Sequence, residues 1–321
     1  MRIPMKNKNT IRAILSLSFL LFASCKIEPI FYAIEKEVPL EKAVIKGNLY
    51  AMTEFGTKLY AASGKLYEKN INEERGWKAV SAPPGFIIRV ASDNTNLYVL
   101  TKDKKLYTKT KTSGWGKISD ISPIELFDNK AASSTNKTAY VTTSKGLFSL
   151  AASDTGVKTN VARSDEETSN GASKYSKAAV HHGTTNTVFS NTVLIASGKN
   201  AVYTMDGNKI KYGNTIEDSK VKFSTVSDIE VSGAQSMAVY NDSLLIGTTS
   251  GIVLVNLDDA GRPTGKGSML GENIESSIAM LEIKTLYAFE NAVYAFAVDK
   301  TTSKKTNTWG YYKDRPNWNV E

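Results

Sequence analysis

Pairs of adjacent apolar residues, separated by small and polar ones, recur along most of the chain. Two stretches align by eye, LYAASGKLYEKNINEERGWKAVS from Leu59 and LYVLTKDKKLYTKTKTSGWGKIS from Leu97. Their leading leucines, and likewise Trp77 and Trp115, are offset by 38 residues. The motif returns more loosely as AYVTTSKGLF from Ala139, VLIASGKNAVY from Val193, LLIGTTSGIV from Leu244 and LYAFENAVY from Leu286. In each unit the first pair precedes the second by 7 to 9 residues, with Gly, Ser, Asn, Asp or Lys between them, which predicts two short strands joined by a tight turn. Successive side chains on a strand point to opposite faces, so adjacent apolar residues mean a sheet covered on both sides. No convincing amphipathic helix follows residue 43, and sheets must therefore cover one another. The pattern predicts an all-β chain whose repeated sheets are arranged in a ring, a β-propeller.

Six such motifs between residues 44 and 318 leave about 46 residues per unit, the size of a four-stranded blade. In the first unit the strands fall at 48–54, 58–62, 65–69 and 77–81. Wider spacings, as around residues 151–176, read as polar excursions with no room for another whole blade. One propeller of six four-stranded blades is expected, or seven if residues 30–37 are recruited. Ring closure is expected to pair residues 30–37 or 309–318 with the opposite end of the chain, because an open edge strand invites aggregation.

The first 25 residues have a different character. Arg2, Lys6, Lys8 and Arg12 form a basic stretch free of acids, followed by AILSLSFLLFA, an apolar run of 11 at residues 13–23. That is the length of a signal-peptide core and well short of the ~20 apolar residues that span a bilayer. Leu21-Phe22-Ala23-Ser24-Cys25 comes next and carries the only cysteine of the chain. It resembles the lipobox of bacterial lipoproteins, with Phe22 where Leu or Val is usual, as in the looser lipoboxes of spirochaete-type lipoproteins. The resemblance implies a signal peptide at residues 1–24, a lipidated linker at 25–43 that offers a closing strand, and a propeller domain at 44–321. It also implies diacylglycerol and palmitate on Cys25. Two or three acyl chains, at about 0.8 kcal/mol per buried CH₂, anchor stably where one is marginal. The expected location is the cell envelope, the outer membrane in preference to the inner.

Composition narrows the chemistry. With 41% hydrophobic and 22% charged residues, 22 Gly and 8 Pro, the 321-residue chain is neither disordered nor collagen-like. One cysteine and two histidines exclude an intramolecular disulfide, a cysteine-rich zinc site and a three-histidine centre, so no metal or other cofactor is expected. Loss of the four basic residues of the signal lowers the formal charge from +8 to +4. The lysines around Tyr107 and Trp115 accordingly read as a solvated rim and not a nucleic-acid site.

The Gly-His and Trp-Asp pair, the double-glycine kelch motif and the Asp-box are all absent. The loose lipobox, the repeated Leu-Tyr pairs and the Gly-Trp units together resemble the β-propeller lipoproteins of spirochaete-type bacteria. Gly76-Trp77 and Gly114-Trp115 also resemble tectonin-type repeats, which would imply glycan recognition, but only two of the six units carry the step, and inter-blade packing is the preferred reading of both tryptophans.

In a propeller, chemistry sits on the innermost strands and the loops above them, and fold alone assigns none. The first strands should carry Glu54, Arg89, Glu125, His181, His182, Met237 and Glu282. Arg89, inside the apolar run Ile87–Val90, needs an ionic partner or a water-filled channel. His181 and His182 offer a proton-transfer or ligand group, with at most one facing the axis. Arg89, His181 and His182 are thus the candidate ligand contacts, alongside a purely structural reading of each. No motif gathers carboxylates for catalysis. The reading is a monomeric, lipid-anchored, non-catalytic binding or scaffold protein whose rim recognises a protein or glycan. Its alternative is a propeller glycoside hydrolase or sialidase-like enzyme.

Overall fold

The structure is a computed structural model that describes residue 45 and residues 47–93, 95–119, 122–128, 137–143, 146–150, 157–160, 175–182, 185–190, 195–198, 201–217, 220–267, 277–300 and 306–321. The chain divides into two compact units, Met1–Lys42 and Ala43–Glu321. The expected signal peptide, Cys25 and the strand at residues 30–37 all lie outside the described residues.

Within the second unit, consecutive strands form antiparallel meanders. Blade 1 consists of Ala51–Phe55, Lys58–Ser63, Lys65–Asn70 and Lys78–Ala79, and blade 2 of Ile87–Ser92, Asn96–Thr101, Leu106–Thr110 and Gly116–Ile118. Blade 3 has Pro123–Asp128, Ala139–Thr143, Gly146–Leu150 and Val157–Asn160, whereas blade 4 is the hairpin Tyr175–His182 and Thr185–Ser190. Blade 5 runs through Ile195–Gly198, Ala201–Asp206, Lys209–Glu217 and Lys220–Glu230, and blade 6 through Ala234–Tyr240, Ser243–Thr248, Gly251–Leu257 and Pro263–Lys266. Blade 7 is Glu282–Ala288, Ala292–Val298, Thr306–Tyr312 and Arg315–Val320. A single short 3-10 turn, Ser277–Met280, is the one helical element among the described residues.

The first strand of each blade lies beside the first strand of the next from blade 1 through blade 7, so these strands are innermost. Apolar clusters fill the interfaces between neighbouring sheets. Tyr60 and Leu66 of blade 1 pack with Val90 and Leu97 of blade 2, and Ala91 and Leu106 with Leu126 and Val141 of blade 3. Tyr203 and Ile210 of blade 5 meet Leu244 and Val255 of blade 6, whose Leu245 and Leu254 meet Ile283 and Ala295 of blade 7. Blade 7 then returns to blade 1 through Tyr294 and Phe296 against Met52 and Leu59. The ring is closed, and the architecture is a β-propeller.

The six four-stranded sheets expected from the repeat are present, joined among the described residues by a seventh, two-stranded one. That blade, at residues 175–190, comes from the stretch expected to supply only the first strand of the unit at Val193. The motifs at Val193 and Leu286 are also displaced by one strand. Ile195–Gly198 and Glu282–Ala288 are first strands, not second ones. Any two consecutive strands of a meander present the same apolar–turn–apolar pattern, so the motif marks a hairpin without saying which.

Residues 309–318 pair inside blade 7 and not with blade 1, and among the described residues blade 1 is built from its own strands; the alternative closing strand, residues 30–37, lies outside the described residues. Side chains close the seam. Lys69, on the third strand of blade 1, donates to the Tyr312 hydroxyl at 2.7 Å and lies 3.8 Å from the Glu321 carboxylate, with both charged side chains fully buried. Trp77 donates its indole N–H to Glu321 at 2.8 Å. The Lys69 ammonium also sits over the rings of Trp77, Tyr294 and Tyr312 at 5.3, 4.9 and 4.6 Å.

The same device recurs at the seam between blades 1 and 2. Lys109 pairs in register with Leu97 as Lys69 does with Leu59, and its ammonium lies over Trp115 and Tyr60. Trp115 reaches back to the Ser81 carbonyl at the end of blade 1. The Gly-Trp steps are therefore inter-blade packing. Tyr60 and Tyr294, each on the second strand of the preceding blade, occupy equivalent register positions.

Candidate functional site

The inner strands gather the polar side chains that the sequence singled out. Glu54, Arg89, Glu125, Met237 and Glu282 all lie on first strands, as do His181 and His182. The two histidines pair in register with Asn186 and Thr185. Their side chains fall outside the described structure.

Arg89 is the centre of the best-defined group. Isoleucine and valine neighbours hold it on the first strand of blade 2, where its Nε donates to the Glu125 carboxylate of blade 3. Its Nη1 donates to the Ile88 carbonyl at 2.8 Å and reaches the Tyr50 carbonyl at 3.4 Å. Tyr287, from the first strand of blade 7, donates to that same Tyr50 carbonyl at 3.3 Å. Its phenol is pushed up to about 12, chiefly by burial; the Arg89 charge opposes that shift and the Asp128 and Glu125 carboxylates add to it. Arg89 thus has the ionic partner that an arginine in an apolar strand requires.

A second group follows along the same strands. Asp128 accepts from the Thr53 hydroxyl at 2.5 Å and from the Ser92 backbone N–H at 2.8 Å. The Lys137 ammonium lies 3.5 Å from Asp128 and donates to Thr53 Oγ1 at 2.8 Å and to the Glu54 carbonyl at 2.6 Å. The Ser92 hydroxyl donates to that carbonyl as well. Three blades are thereby cross-linked through their inner strands. Asp128, Lys137, Thr53 and Ser92 escaped sequence reasoning because each looks like an ordinary turn or strand-end residue; only the ring brings them together.

Elsewhere on the inner wall, Gln235 donates to Glu282 at 2.5 Å, and Lys284 pairs with the same carboxylate at 2.7 Å. No group of three or more His, Cys, Asp or Glu that could hold a metal ion occurs among the described residues. No helix among them is long and apolar enough to cross a membrane.

Among the described residues, seven sheets surround an inner wall of cross-bonded charges and define a β-propeller. A model of the TP013X lipoprotein family matches residues 4–260, and the chain belongs to that family. Relatives in Treponema pallidum (strain Nichols), described as uncharacterized lipoproteins, include one 40% identical over 73 residues, which are 22% of this chain and 15% of the relative. Another is 34% identical over 99 residues, 30% of this chain and 25% of the relative. The matched stretches thus span a quarter or less of those relatives' length. Similar solved structures include BamB from Moraxella catarrhalis, at 12% identity and TM-score 0.47 over 86% of each chain. YCF48 from Cyanidioschyzon merolae is similar at 11% identity and TM-score 0.44, over 88% of this chain and 86% of that one. The resemblance to spirochaete lipoproteins is thereby established, and with it an envelope protein of lipoprotein type.

Proposed function

We propose that the protein is a monomeric, lipid-anchored envelope scaffold that binds a protein or glycan on its propeller surface and catalyses no reaction. In this reading residues 1–24 are removed, Cys25 carries the lipid, residues 25–43 are a linker, and the outer membrane is the site of anchorage. The observation that carries it is the internal commitment of the inner-wall charges. Arg89 is held by Glu125 and backbone carbonyls, and Asp128 by Thr53, Ser92 and Lys137. A catalytic acid or base needs a position from which it reaches a reacting atom, whereas these groups reach across to neighbouring blades. Membership of a lipoprotein family supports the anchor.

Metabolic labelling with an alkyne fatty acid should mark the wild type and not Cys25→Ala; a label retained by that variant overturns the anchor. Capture from envelope extract with the intact lipoprotein should recover a defined partner, while turnover of a glycoside panel by the pure protein would overturn the non-catalytic reading. If the inner wall contributes to the ligand site, a ligand anion takes the place of the Glu125 carboxylate on Arg89, and His181 or His182, on the first strand of blade 4, is a further candidate contact. Arg89→Ala and His182→Ala would then weaken binding by more than their loss of stability explains.

A further inference from the structure

The inner strands of a closed ring all run the same way along its axis, so the residues that lead into them share one face of the disc. The turns between second and third strands lie on that same face. Hydrogen bonds show the arrangement directly: Gly64, in such a turn of blade 1, exchanges backbone bonds with Ile87 at the start of blade 2, and Gly251 of blade 6 donates to Leu281 ahead of blade 7. Phe86 and Met280, each one residue earlier, therefore occupy equivalent positions. They are 49% and 87% exposed, two of the three large apolar side chains exposed among the described residues. Phe86 is presented by Pro83-Pro84-Gly85 and packs edge-on against Tyr50 at 5.9 Å.

The same face carries exposed lysines. Lys65, Lys102, Lys104, Lys105, Lys209 and Lys300 lie in or next to its turns; of its acids, Asp103 and Asp206 are tied to Lys105 and Lys211, Glu230 lies opposite Lys209 in register, and Asp299 is next to Lys300. Lys104 holds a left-handed backbone, φ 61°, where glycine would be cheaper. The opposite face has exposed Glu73, Glu74, Asp242, Asp259, Glu290 and Asp314 in excess over Lys111, Arg262 and Lys313. Tyr50 leads directly into the first strand of blade 1, so the chain enters the propeller on the lysine face.

We infer that this face lies against an anionic lipid surface, with Phe86 and Met280 entering the interface and the turn lysines meeting headgroup phosphates. Apolar side chains on the same face as exposed lysines suit the boundary between headgroups and acyl chains. The inference rests on the lipid anchor proposed above. The nineteen residues between Cys25 and Ile45 reach roughly 65 Å when extended, so the tether by itself selects no face.

An acylated Cys25 has no free thiol, which leaves Phe86→Cys, Met280→Cys and Glu290→Cys each with one reactive sulfur in the full lipidated chain. With the NBD fluorophore attached, on phosphatidylcholine–phosphatidylglycerol vesicles containing doxyl lipid, the labels at 86 and 280 should be quenched about twofold or more beyond that at 290. The contrast should shrink on phosphatidylcholine alone. Equal quenching at all three positions overturns the inference, whether the face is then free or covered by a protein, and an undiminished contrast on phosphatidylcholine overturns the anionic assignment. Met280 is exposed enough to be replaced without disturbing the fold if Phe86→Cys misfolds. Wild-type protein that takes up the label shows a free Cys25, so a failed anchor is told apart from a failed face.

Discussion

Lys69 illustrates how much a single buried charge contributes to this fold. Burial pulls its ammonium down to about 8, partly offset by Glu321 and by nearby Glu74 and Glu73. A base whose folded pKa lies below its unfolded value of 10.5 is protonated in the unfolded chain over an interval where the folded one has let the proton go. Stability therefore rises with pH above about 8, by at most about 1.4 kcal/mol per pH unit. Above pH 10 the trend reverses, because Tyr60, Tyr98, Tyr140, Tyr203 and Tyr294 all have raised phenols, chiefly through burial, and the unfolded chain ionises first. Urea titrations across this range should show the rise in the wild type and a smaller one in Lys69→Met, since burial also lowers Lys109, with the fall kept in both. Arg89→Ala should cost about 1–3 kcal/mol, since it strands a half-buried Glu125 carboxylate, and the double variant with Glu125→Ala should recover part of that loss.

At the scale of the blade, tight turns and seams decide what the strands tolerate. Gly251 has φ 88°, and a Cβ there would run into the Ala279 carbonyl of the neighbouring connection. Gly251→Ala is expected to lower stability by about 1–3 kcal/mol in denaturant unfolding, with the secondary structure unchanged by circular dichroism. The seam of Lys, Trp and Tyr recurs between blades 7 and 1 and between blades 1 and 2. The 38-residue offset of the two tryptophans announced that repeat. The spacing left their partners unidentified, because Tyr294 lies more than 200 residues from Trp77 and meets it only when the ring closes.

At the largest scale, blades 7 and 1 share no strand among the described residues, and their seam is held by packing and by one buried charge cluster. Glu321→Gln leaves the Lys69 cation buried beside a neutral amide and should cost about 3–5 kcal/mol. Because every seam continues into the next, the transition should stay single. Circular dichroism and tryptophan fluorescence should report coincident midpoints in the variant as in the wild type, and separated midpoints would mean that blade 1 detaches alone.

The repeated apolar pairs determined the class of fold, because covering both faces of many short sheets leaves few arrangements, and turn residues between the pairs show where each chain reversal falls. Arg89 was legible because a charge in an apolar strand contradicts its surroundings, and Glu125 because it falls where the repeat places a first strand. Which strand of a blade each hairpin supplies was decided only by the tertiary structure. So were the short blade at residues 175–190, the side-chain closure at Glu321 and the joining of Thr53, Ser92, Asp128 and Lys137. Alternation is a local property of neighbouring residues, whereas blade order and polar clusters depend on contacts between distant segments, and those exist only once the last sheet has packed against the first.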